Sequence, residues 1–438
     1  MHMAEHTSLF TDRYELTMLE ASLQSGIGTK RATFEIFGRG LGGRAYGVTA
    51  GAARVGTLLE GFTFDEADLD YLGRNSICSK ETLDYLANFR FAGSIYAYPD
   101  GELYFPFSPV LRLEASFAEG LILETLLLSA LNFDSAIATA ASRMALAARG
   151  RTLIEMGTRR TNENAGVVAA RAAYIAGFAA TSNLAAGQQY AIPTAGTMGH
   201  AIVLAHDSEA AAFRAQRTIA GEATTALVDT YDTLNGIRTA IDVFGPSLAA
   251  IRIDSGDPFA TSIAARQLLD SLGATKTQIL VSGDLDEAAI HRLHDAPIDG
   301  FGVGTKLVTG SGIPTAGFVY KLVSIERGGE PIAVAKQSEA KTSDGGAKTA
   351  YRRIREQHAI DEFSIDPEAI ISSTSADALR PLQVPVIVKG ERVIDDNLEH
   401  WRRLHQESLE ELGSYEDLLS ATAPLLQCHY LGPGTVKV

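Results

Sequence analysis

The sequence predicts an α/β protein whose middle forms a β/α barrel, closed or nearly closed and TIM-like, beside a layer of α+β structure. Three observations carry that expectation. Between about residues 118 and 310, long helical stretches alternate with short apolar runs at 152–156, 191–193, 226–228, 248–253, 278–281 and 300–303. Strands separated by helices pair in parallel through crossovers. Each run ends in polar or Gly-rich residues, where a barrel of this kind carries its site. On either side of that region the pattern reverts to strands, turns and short helices. A doubly wound open sheet is the competing topology for the same strands.

Taken in order, Thr11-Asp-Arg-Tyr14-Glu-Leu-Thr-Met18 opens a helix with Thr11 or Asp12 as its N-cap. Residues 32–37 alternate apolar and polar like a strand, and the Gly-rich Gly38-Arg-Gly-Leu-Gly-Gly43 then turns the chain. Residues 64–71 and 80–91 read as short surface helices; 93–98 and 110–115 read as strands, with the Asp100-Gly101 turn between them. The most apolar stretch, 121–148, is interrupted by Glu124, Asp134 and Arg143. Charges at those places exclude a bilayer span, so a buried helix or helix pair is expected. After Gly310 come strands at 319–325 and 332–336, the polar Ser343-Asp-Gly-Gly346, and a helical tail.

A chain of 438 residues exceeds the usual size of one hydrophobic core, so two domains are expected. The net charge of −15 argues against a nucleic-acid partner, which would call for a basic face. In so acidic a chain, individual arginines near small-residue turns become informative. Cys78 and Cys428 are the only cysteines; they allow no disulfide framework or thiolate metal cluster and favour a reducing, cytoplasmic setting. The leading Met1-His-Met-Ala-Glu-His6 lacks a signal pattern, and a soluble protein is expected.

Candidate chemistry sits at the ends of the apolar runs. Gly196-Thr197-Met-Gly-His200 places a glycine-flanked histidine there, able to act as base, nucleophile or phosphate carrier. A buried, carbonyl-bonded histidine is the plainer reading. Arg252-Ile-Asp254-Ser-Gly-Asp257 offers a guanidinium for an anion and a carboxylate for a ribose diol; a simple Asp-Ser-Gly turn is the alternative. Ser282-Gly283-Asp284-Leu-Asp286 reads as a tight turn into a helix N-terminus, suited to phosphate, with capping by Asp284 or Asp286 as the commoner role. Gly302-Val-Gly304-Thr305-Lys306 repeats that logic at the last strand, where barrels grip phosphate. Gly157-Thr-Arg159-Arg160 puts adjacent arginines at a strand end. Asp229-Thr-Tyr-Asp232 adds carboxylates that could orient His200 or sit near Mg²⁺-bound phosphates, or merely cap a helix. No metal site emerges: His291 and His294 lie three apart without an acidic or thiol partner signal. Neither a Ser-His-Asp triad nor a Walker-type loop is present.

The ordered set of motifs resembles the nicotinate phosphoribosyltransferases. It runs from Thr11-Asp-x-Tyr14 and Phe34-Glu-x-Phe37 through Phe105-Pro-x-x-Pro-Val-Leu-Arg112, Glu124-Thr-x-Leu-Leu, Gly157-Thr-Arg-Arg160 and Thr181-Ser-Asn183-x-x-Ala-Gly187. The histidine, Asp229, Arg252, Ser282 and Phe301 motifs follow, then Val319-Tyr-Lys-Leu322, Lys336 and Gly346-x-Lys348. The resemblance implies an irregular β/α barrel over 118–324 and an α+β sandwich built from both chain ends, 1–117 and 325–438. It implies that nicotinate attacks C1 of 5-phosphoribosyl-1-pyrophosphate, giving nicotinate mononucleotide and pyrophosphate. ATP would assist as co-substrate through a phosphohistidine at His200, with Mg²⁺ riding on the pyrophosphate and no assigned metal-holding residue. By motif matching, Asp229 and Asp254 would serve with His200 in catalysis, and Asp254 would hold the ribose hydroxyls. Thr197 and Arg252 would contact nicotinate, and Arg159 an anionic group. Ser282, Gly283, Asp284, Gly302, Gly304 and Thr305 would cradle phosphate. Tyr14 would stack on the pyridine, reaching in from the second subunit of a homodimer with shared sites. Asn183 stands where nicotinamide-using relatives carry an acidic residue, so it favours the acid over the amide. The Gly38–Gly43 loop and Asp344-Gly345 depart from the family's pattern, which more often has proline there.

Two other activities are weighed. Nicotinamide phosphoribosyltransferase runs the same chemistry on the neutral amide. A sugar-phosphate-binding β/α-barrel lyase would need a Schiff-base lysine at a strand end, where this chain has Gly, Arg and Asp, with Lys306 alone nearby.

Overall fold

The computed structural model describes residues 7–336, 344–372, 377–432 and 435–437. The leading Met1–His6 and Ser343 lie outside the described residues. The chain is mixed α/β and divides into two compact units, Met1–Thr139 with Thr315–Val438, and Ala140–Pro314. Those divisions fall after Thr139 and Pro314 rather than after residues 117 and 324. The second displacement has a plain cause: strand Phe318–Arg327 pairs from its first residue with Arg31–Gly38, so residues 318–324 belong with the chain's beginning.

The unit of both chain ends is built on a seven-stranded sheet in the order Glu330–Ala333, Phe318–Arg327, Arg31–Gly38, Leu111–Ser116, Ser94–Ala97, Val384–Val388, Glu391–Arg392. Every pairing in it is antiparallel. Phe34 is inward-facing on its strand and stacks on Tyr320 at 4.9 Å and on Phe117 at 6.0 Å. Gly120 makes room for it, since a Cβ there would lie 2.2 Å from the Phe34 ring. Asp12 occupies the N-cap position of helix Arg13–Gln24 without a side-chain cap bond. Thr11 instead donates to Glu15, a buried carboxylate that also accepts the Thr125 N–H at 2.9 Å. The apolar 121–148 stretch belongs to two helices, Phe117–Ile122 and Glu124–Ala148, and no helix among the described residues is long and apolar enough to cross a membrane.

The expected helical tail is only partly helical. Thr349–Arg355, His358–Ile365, Ala378–Pro381 and Cys428–Tyr430 form a four-stranded sheet, and helix Leu398–Glu410 comes late. The strand pattern is hidden because an arginine points inward where an apolar residue is expected. Arg352 is fully buried and bonds Glu102 at 2.8 Å, Glu362 at 2.9 Å and the Leu103 carbonyl at 2.8 Å. Burial alone would raise the Glu102 pKa, but Arg352 and Arg380 outweigh it and hold Glu102 down at about 2. A buried ion cluster of this kind is tolerable only when every member is paired.

The second unit carries a six-stranded, wholly parallel sheet in the order Ala180–Thr181, Thr152–Glu155, Gly300–Val303, Gln278–Gly283, Ala250–Ile253, Thr225–Leu227. The last strand of the series pairs with the first, so the order runs around a curled half-barrel in chain sequence. Among the described residues, its two end strands, Ala180–Thr181 and Thr225–Leu227, are not paired to each other. The expected strand at 191–193 is absent. Ala191 lies at φ 55, in the left-handed region, and Pro193 has no N–H to donate. Ala180–Thr181 takes the place in the sheet, and Thr194 touches it through a single parallel bridge to Thr181.

Helix Leu398–Glu410 packs on the turn at Gly101, whose Cβ would lie 2.6 Å from the Trp401 carbonyl. His405 on that helix is buried, its Nδ1 2.9 Å from the Gly101 carbonyl. Burial lowers its pKa to about 4 from 6.5, only partly offset by the Gly101 bond and Glu102. The unfolded chain therefore binds this proton more readily. The stability contributed is complete above about pH 6.5 and is lost as pH falls towards 4, by up to roughly 3 kcal/mol. His405→Gln is expected to flatten that part of the curve. Urea midpoints at pH 7 and pH 5 test it: an equal acid-induced drop in both proteins would exclude the assignment.

Candidate active site

The parallel strands have apolar interiors, with Leu153, Ile251, Ile279, Val281, Phe301 and Val303 all at 2% exposure or less. Polar side chains that meet in a cavity gather where the strands run out. Those carboxyl ends enclose a cavity of about 810 Å³, entirely within the second unit. Beside it lies a smaller, largely apolar recess of about 210 Å³, sharing Met156, Thr197, Arg252 and Ser282 and adding Ile154, Leu280 and Phe301.

Most of the residues singled out from sequence meet here. Arg159, Thr197, His200, Arg252, Asp254, Ser282, Gly283, Asp284, Gly302, Gly304 and Thr305 all line the larger cavity. His200 begins helix His200–Ala205 with Gly199 before it. Its Nδ1 lies 3.1 Å from Thr230 Oγ1, and its Nε2 is 3.8 Å from Asp254 and 4.0 Å from Asp229. Nε2 is thus the ring nitrogen turned towards the carboxylates. Arg252 donates to Thr197 Oγ1 at 3.0 Å and to the Met198 carbonyl at 3.3 Å, and lies 3.4 Å from Asp254. Burial would raise the Asp254 pKa, yet the Ser282 hydroxyl and then Arg252 hold it below the ordinary carboxylate value. Asp254 is accordingly an anion at neutral pH, and Arg252 is already partly neutralised.

Asp229 does not line the cavity but lies beneath it. Its side chain is 1% exposed; Oδ2 accepts the Asp254 N–H at 2.9 Å and the Ser255 hydroxyl at 2.6 Å. Its Oδ1 is buried without a hydrogen-bond partner among the described residues, on the side of His200. The capping alternatives resolve pair by pair: Asp232, Asp257 and Asp286 cap the helices that follow, each by accepting a backbone N–H. Asp254 and Asp284 are left for the cavity.

Two residues stand elsewhere. Asn183 is buried and does not line the cavity; its Oδ1 accepts the Ala186 N–H at 2.9 Å, and its Nδ2 donates to Thr158 Oγ1 at 3.1 Å. The side chain is therefore engaged by a helix cap and a neighbouring turn. Tyr14 belongs to the other unit, 46% exposed on helix Arg13–Gln24, and burial, then Glu124, pushes its hydroxyl up to about 12. Sequence reasoning assigned no role to Thr158, Ser182 and Met198, which lie within recognised motifs, or to Met156 just before one, yet all four line the cavity. It also missed Glu155, a buried carboxylate whose ordinary acidic reading points to the surface.

The glycines serve different ends. A Cβ on Gly157 would lie 2.3 Å from Val308 Cγ1 and 3.0 Å from the Gly304 carbonyl, so two turns meet backbone to backbone there. Gly283 has φ +143, in the region that favours glycine, which aims the Ser282–Asp284 turn at the cavity. At Gly196 and Gly199 a Cβ would meet nothing within 4 Å.

Fold and site together define a class: an α/β protein with an anion-receptive cavity at the carboxyl ends of parallel strands. Comparison with known proteins narrows it. Residues 9–132 match the nicotinate phosphoribosyltransferase (NAPRTase) N-terminal domain, and residues 152–366 match the nicotinate phosphoribosyltransferase (NAPRTase) family. A nicotinate phosphoribosyltransferase of Mycobacterium tuberculosis is 49% identical over 413 residues, covering 92% of this chain and 91% of its own. One from Bacillus subtilis is 40% identical, covering 80% of this chain and 74% of its own. Among solved structures, human nicotinic acid phosphoribosyltransferase superposes with a TM-score of 0.78 at 23% identity, over 95% of this chain and 97% of its own. A nicotinate-nucleotide pyrophosphorylase from Pyrococcus furiosus gives 0.77 at 25% identity, over 94% and 98%. The chain belongs to the nicotinate phosphoribosyltransferase family.

The packing at Gly157 makes a contrast that can be measured. Gly157→Ala is expected to lower stability by about 1–3 kcal/mol, because stiff Val308 and the Gly304 backbone cannot both yield. Gly196→Ala, with open space around it, should leave the thermal midpoint unchanged or slightly raised. Equal losses from both substitutions would contradict the packing described.

Proposed function

We propose that this protein transfers a phosphoribosyl group to nicotinate. The ring nitrogen of nicotinate attacks C1 of 5-phosphoribosyl-1-pyrophosphate, the C1–O bond breaks, and pyrophosphate leaves with the electron pair. Nicotinate mononucleotide, the salvage precursor of NAD, is the other product. The observation that carries this reading is the convergence, in one cavity, of Arg159, Arg252, Asp254 and the Ser282–Asp284 and Gly302–Thr305 turns, beside a slot with apolar walls. The slot suits a flat pyridine ring, and Arg252 at its mouth suits a carboxylate on that ring. Asp254 is then placed for ribose hydroxyls, and the small-residue turns present backbone N–H groups to phosphate. Negative charge building on departing pyrophosphate is answered by the arginines.

ATP belongs to the proposal as co-substrate: its γ-phosphoryl passes to His200 Nε2 as ADP leaves, and water later takes that phosphoryl as inorganic phosphate, which frees the imidazole again. Thr230 at Nδ1 orients the ring for that transfer. The described residues hold no group of three or more His, Cys, Asp and Glu able to grip a metal ion. A magnesium ion would therefore be held chiefly by substrate phosphates, with Asp254 as an available protein oxygen, and would neutralise charge on the leaving group. Also proposed are closure of the half-barrel into the irregular β/α barrel with a sandwich domain, cytoplasmic residence, and a homodimer in which Tyr14 of one protomer stacks on nicotinate bound by the other. Buried, unpaired Cys78 and Cys428 suit a reducing compartment.

Labelled nicotinate with 5-phosphoribosyl-1-pyrophosphate, with and without ATP, tests the reading. Nicotinate mononucleotide is expected, made faster with ATP and little competed by nicotinamide; equal or better use of the amide would replace this activity with its neutral-substrate counterpart. His200→Ala is expected to keep basal transfer and lose the ATP stimulation, and undiminished stimulation would remove the phosphohistidine from the mechanism.

A further inference from the structure

Glu155 ends strand Thr152–Glu155, is fully buried, and does not line the cavity. Its carboxylate is divided between two turns: one oxygen accepts the Gly157 N–H, the other the Thr181 hydroxyl at 2.5 Å. Thr181 Oγ1 in turn accepts the Asn183 N–H at 2.9 Å, and the Asn183 amide donates to Thr158 Oγ1 at 3.1 Å. Thr158 adjoins Gly157, which closes a circuit of hydrogen bonds running from Glu155 out to the cavity wall and back. A further bond, Ser182 N–H to the Glu155 carbonyl at 2.8 Å, ties the same two turns. From this circuit the cavity receives Thr158, Arg159 and Arg160 on one side and Ser182 on the other.

The circuit is tight at Gly157, where a Cβ would lie only 3.1 Å from Glu155 Oε1. Burial pushes the Glu155 pKa up, and what opposes it is hydrogen bonding from Thr181 and Gly157 rather than an ion pair. A carboxylate buried without a cation is expensive, and an apolar residue would satisfy the sheet as well. Arg159 and Arg160, by contrast, are exposed, and the short turn Thr158–Arg160 carries both of them into the cavity lining.

We propose that Glu155 is a positioning residue: through Gly157, and through Thr181, Asn183 and Thr158, it sets where Arg159 and Arg160 present their charge to the pyrophosphate end of the substrate. This rests on the reading that the cavity takes 5-phosphoribosyl-1-pyrophosphate. Arg159 and Arg160 touch the ligand; Glu155 acts only through them.

The test uses the intact protein and two readouts: calorimetric binding of inorganic pyrophosphate, and separate KM values for the two substrates. Glu155→Gln keeps size but leaves an acceptor for only one of the two donors. It is expected to weaken pyrophosphate binding and raise the phosphoribosyl pyrophosphate KM by about tenfold, with the nicotinate KM held within about twofold. Thr181→Val should do the same and Thr181→Ser should restore the wild-type values, which keeps the test alive if Glu155→Gln does not fold. In a background carrying Arg159→Ala and Arg160→Ala, Glu155→Gln should add no further loss. An unchanged phosphoribosyl pyrophosphate KM, a nicotinate KM that rises equally, or a full additional loss without the arginines would each overturn the assignment. A wild-type protein that binds pyrophosphate but forms no nicotinate mononucleotide would refute the proposed activity instead, and the binding comparison would still decide the role of Glu155.

Discussion

Carboxylates at the strand ends reach sideways and bond the next strand end, and the cavity depends on that stitching. Glu155 reaches Thr181; Asp229 reaches the Asp254 backbone and Ser255; Asp254 reaches Ser282. A parallel ladder stops holding its strands together where the backbone peels off towards a helix. Loops beyond that point would otherwise be placed only by their own turns. Bonds from a buried anion to N–H and O–H donors are stronger than neutral ones, and they are oriented. One side-chain type thus does two things along the arc: it aligns the loops, and at Asp254 it also faces the ligand space.

Charge is distributed to match. The chain as a whole carries −15, yet the cavity is lined by Arg159, Arg160 and Arg252 alongside Asp254 and Asp284. Three of the nearby acids are already engaged, Glu155 and Asp229 by hydrogen bonds below the surface and Asp254 by Ser282 and Arg252. The lining thus carries three guanidinium groups against two carboxylates, in a protein whose overall charge is strongly negative. The other unit handles its charge differently: there Arg352, Glu102, Glu362, Arg380 and Glu411 neutralise one another in the interior.

How far this was legible in the sequence follows from which residues obey simple rules. The strand-end motifs were legible because Gly, Asp, Arg and Ser cluster after apolar runs, and eleven of the residues so chosen do line the cavity. Each Asp pair also contained its own ambiguity, one member for the site and one for the cap. Only the structure assigns Asp232, Asp257 and Asp286 to the caps. For Asn183, a position in a motif does not reveal the amide's partners, which are the Ala186 N–H and the Thr158 hydroxyl. Arg352 and Glu155 were illegible for one reason, since a buried charge looks like a surface residue until its partners are known. The strand at 191–193 failed on backbone grounds, through a left-handed alanine and a proline that apolar composition conceals.

The seam of the half-barrel falls between Thr181 with its Thr194 bridge and the strand Thr225–Leu227, and the segment leading to His200 crosses it. Ala195 still donates to the Thr181 carbonyl, but Thr197 and Met198 are held by the Arg252 guanidinium. Side-chain bonds of this sort are each worth about 0.5–1.5 kcal/mol and can be exchanged for others of equal strength. The same Arg252 lines both the larger cavity and the smaller recess. The wall of the recess and the mooring of the histidine's approach therefore meet in a single guanidinium.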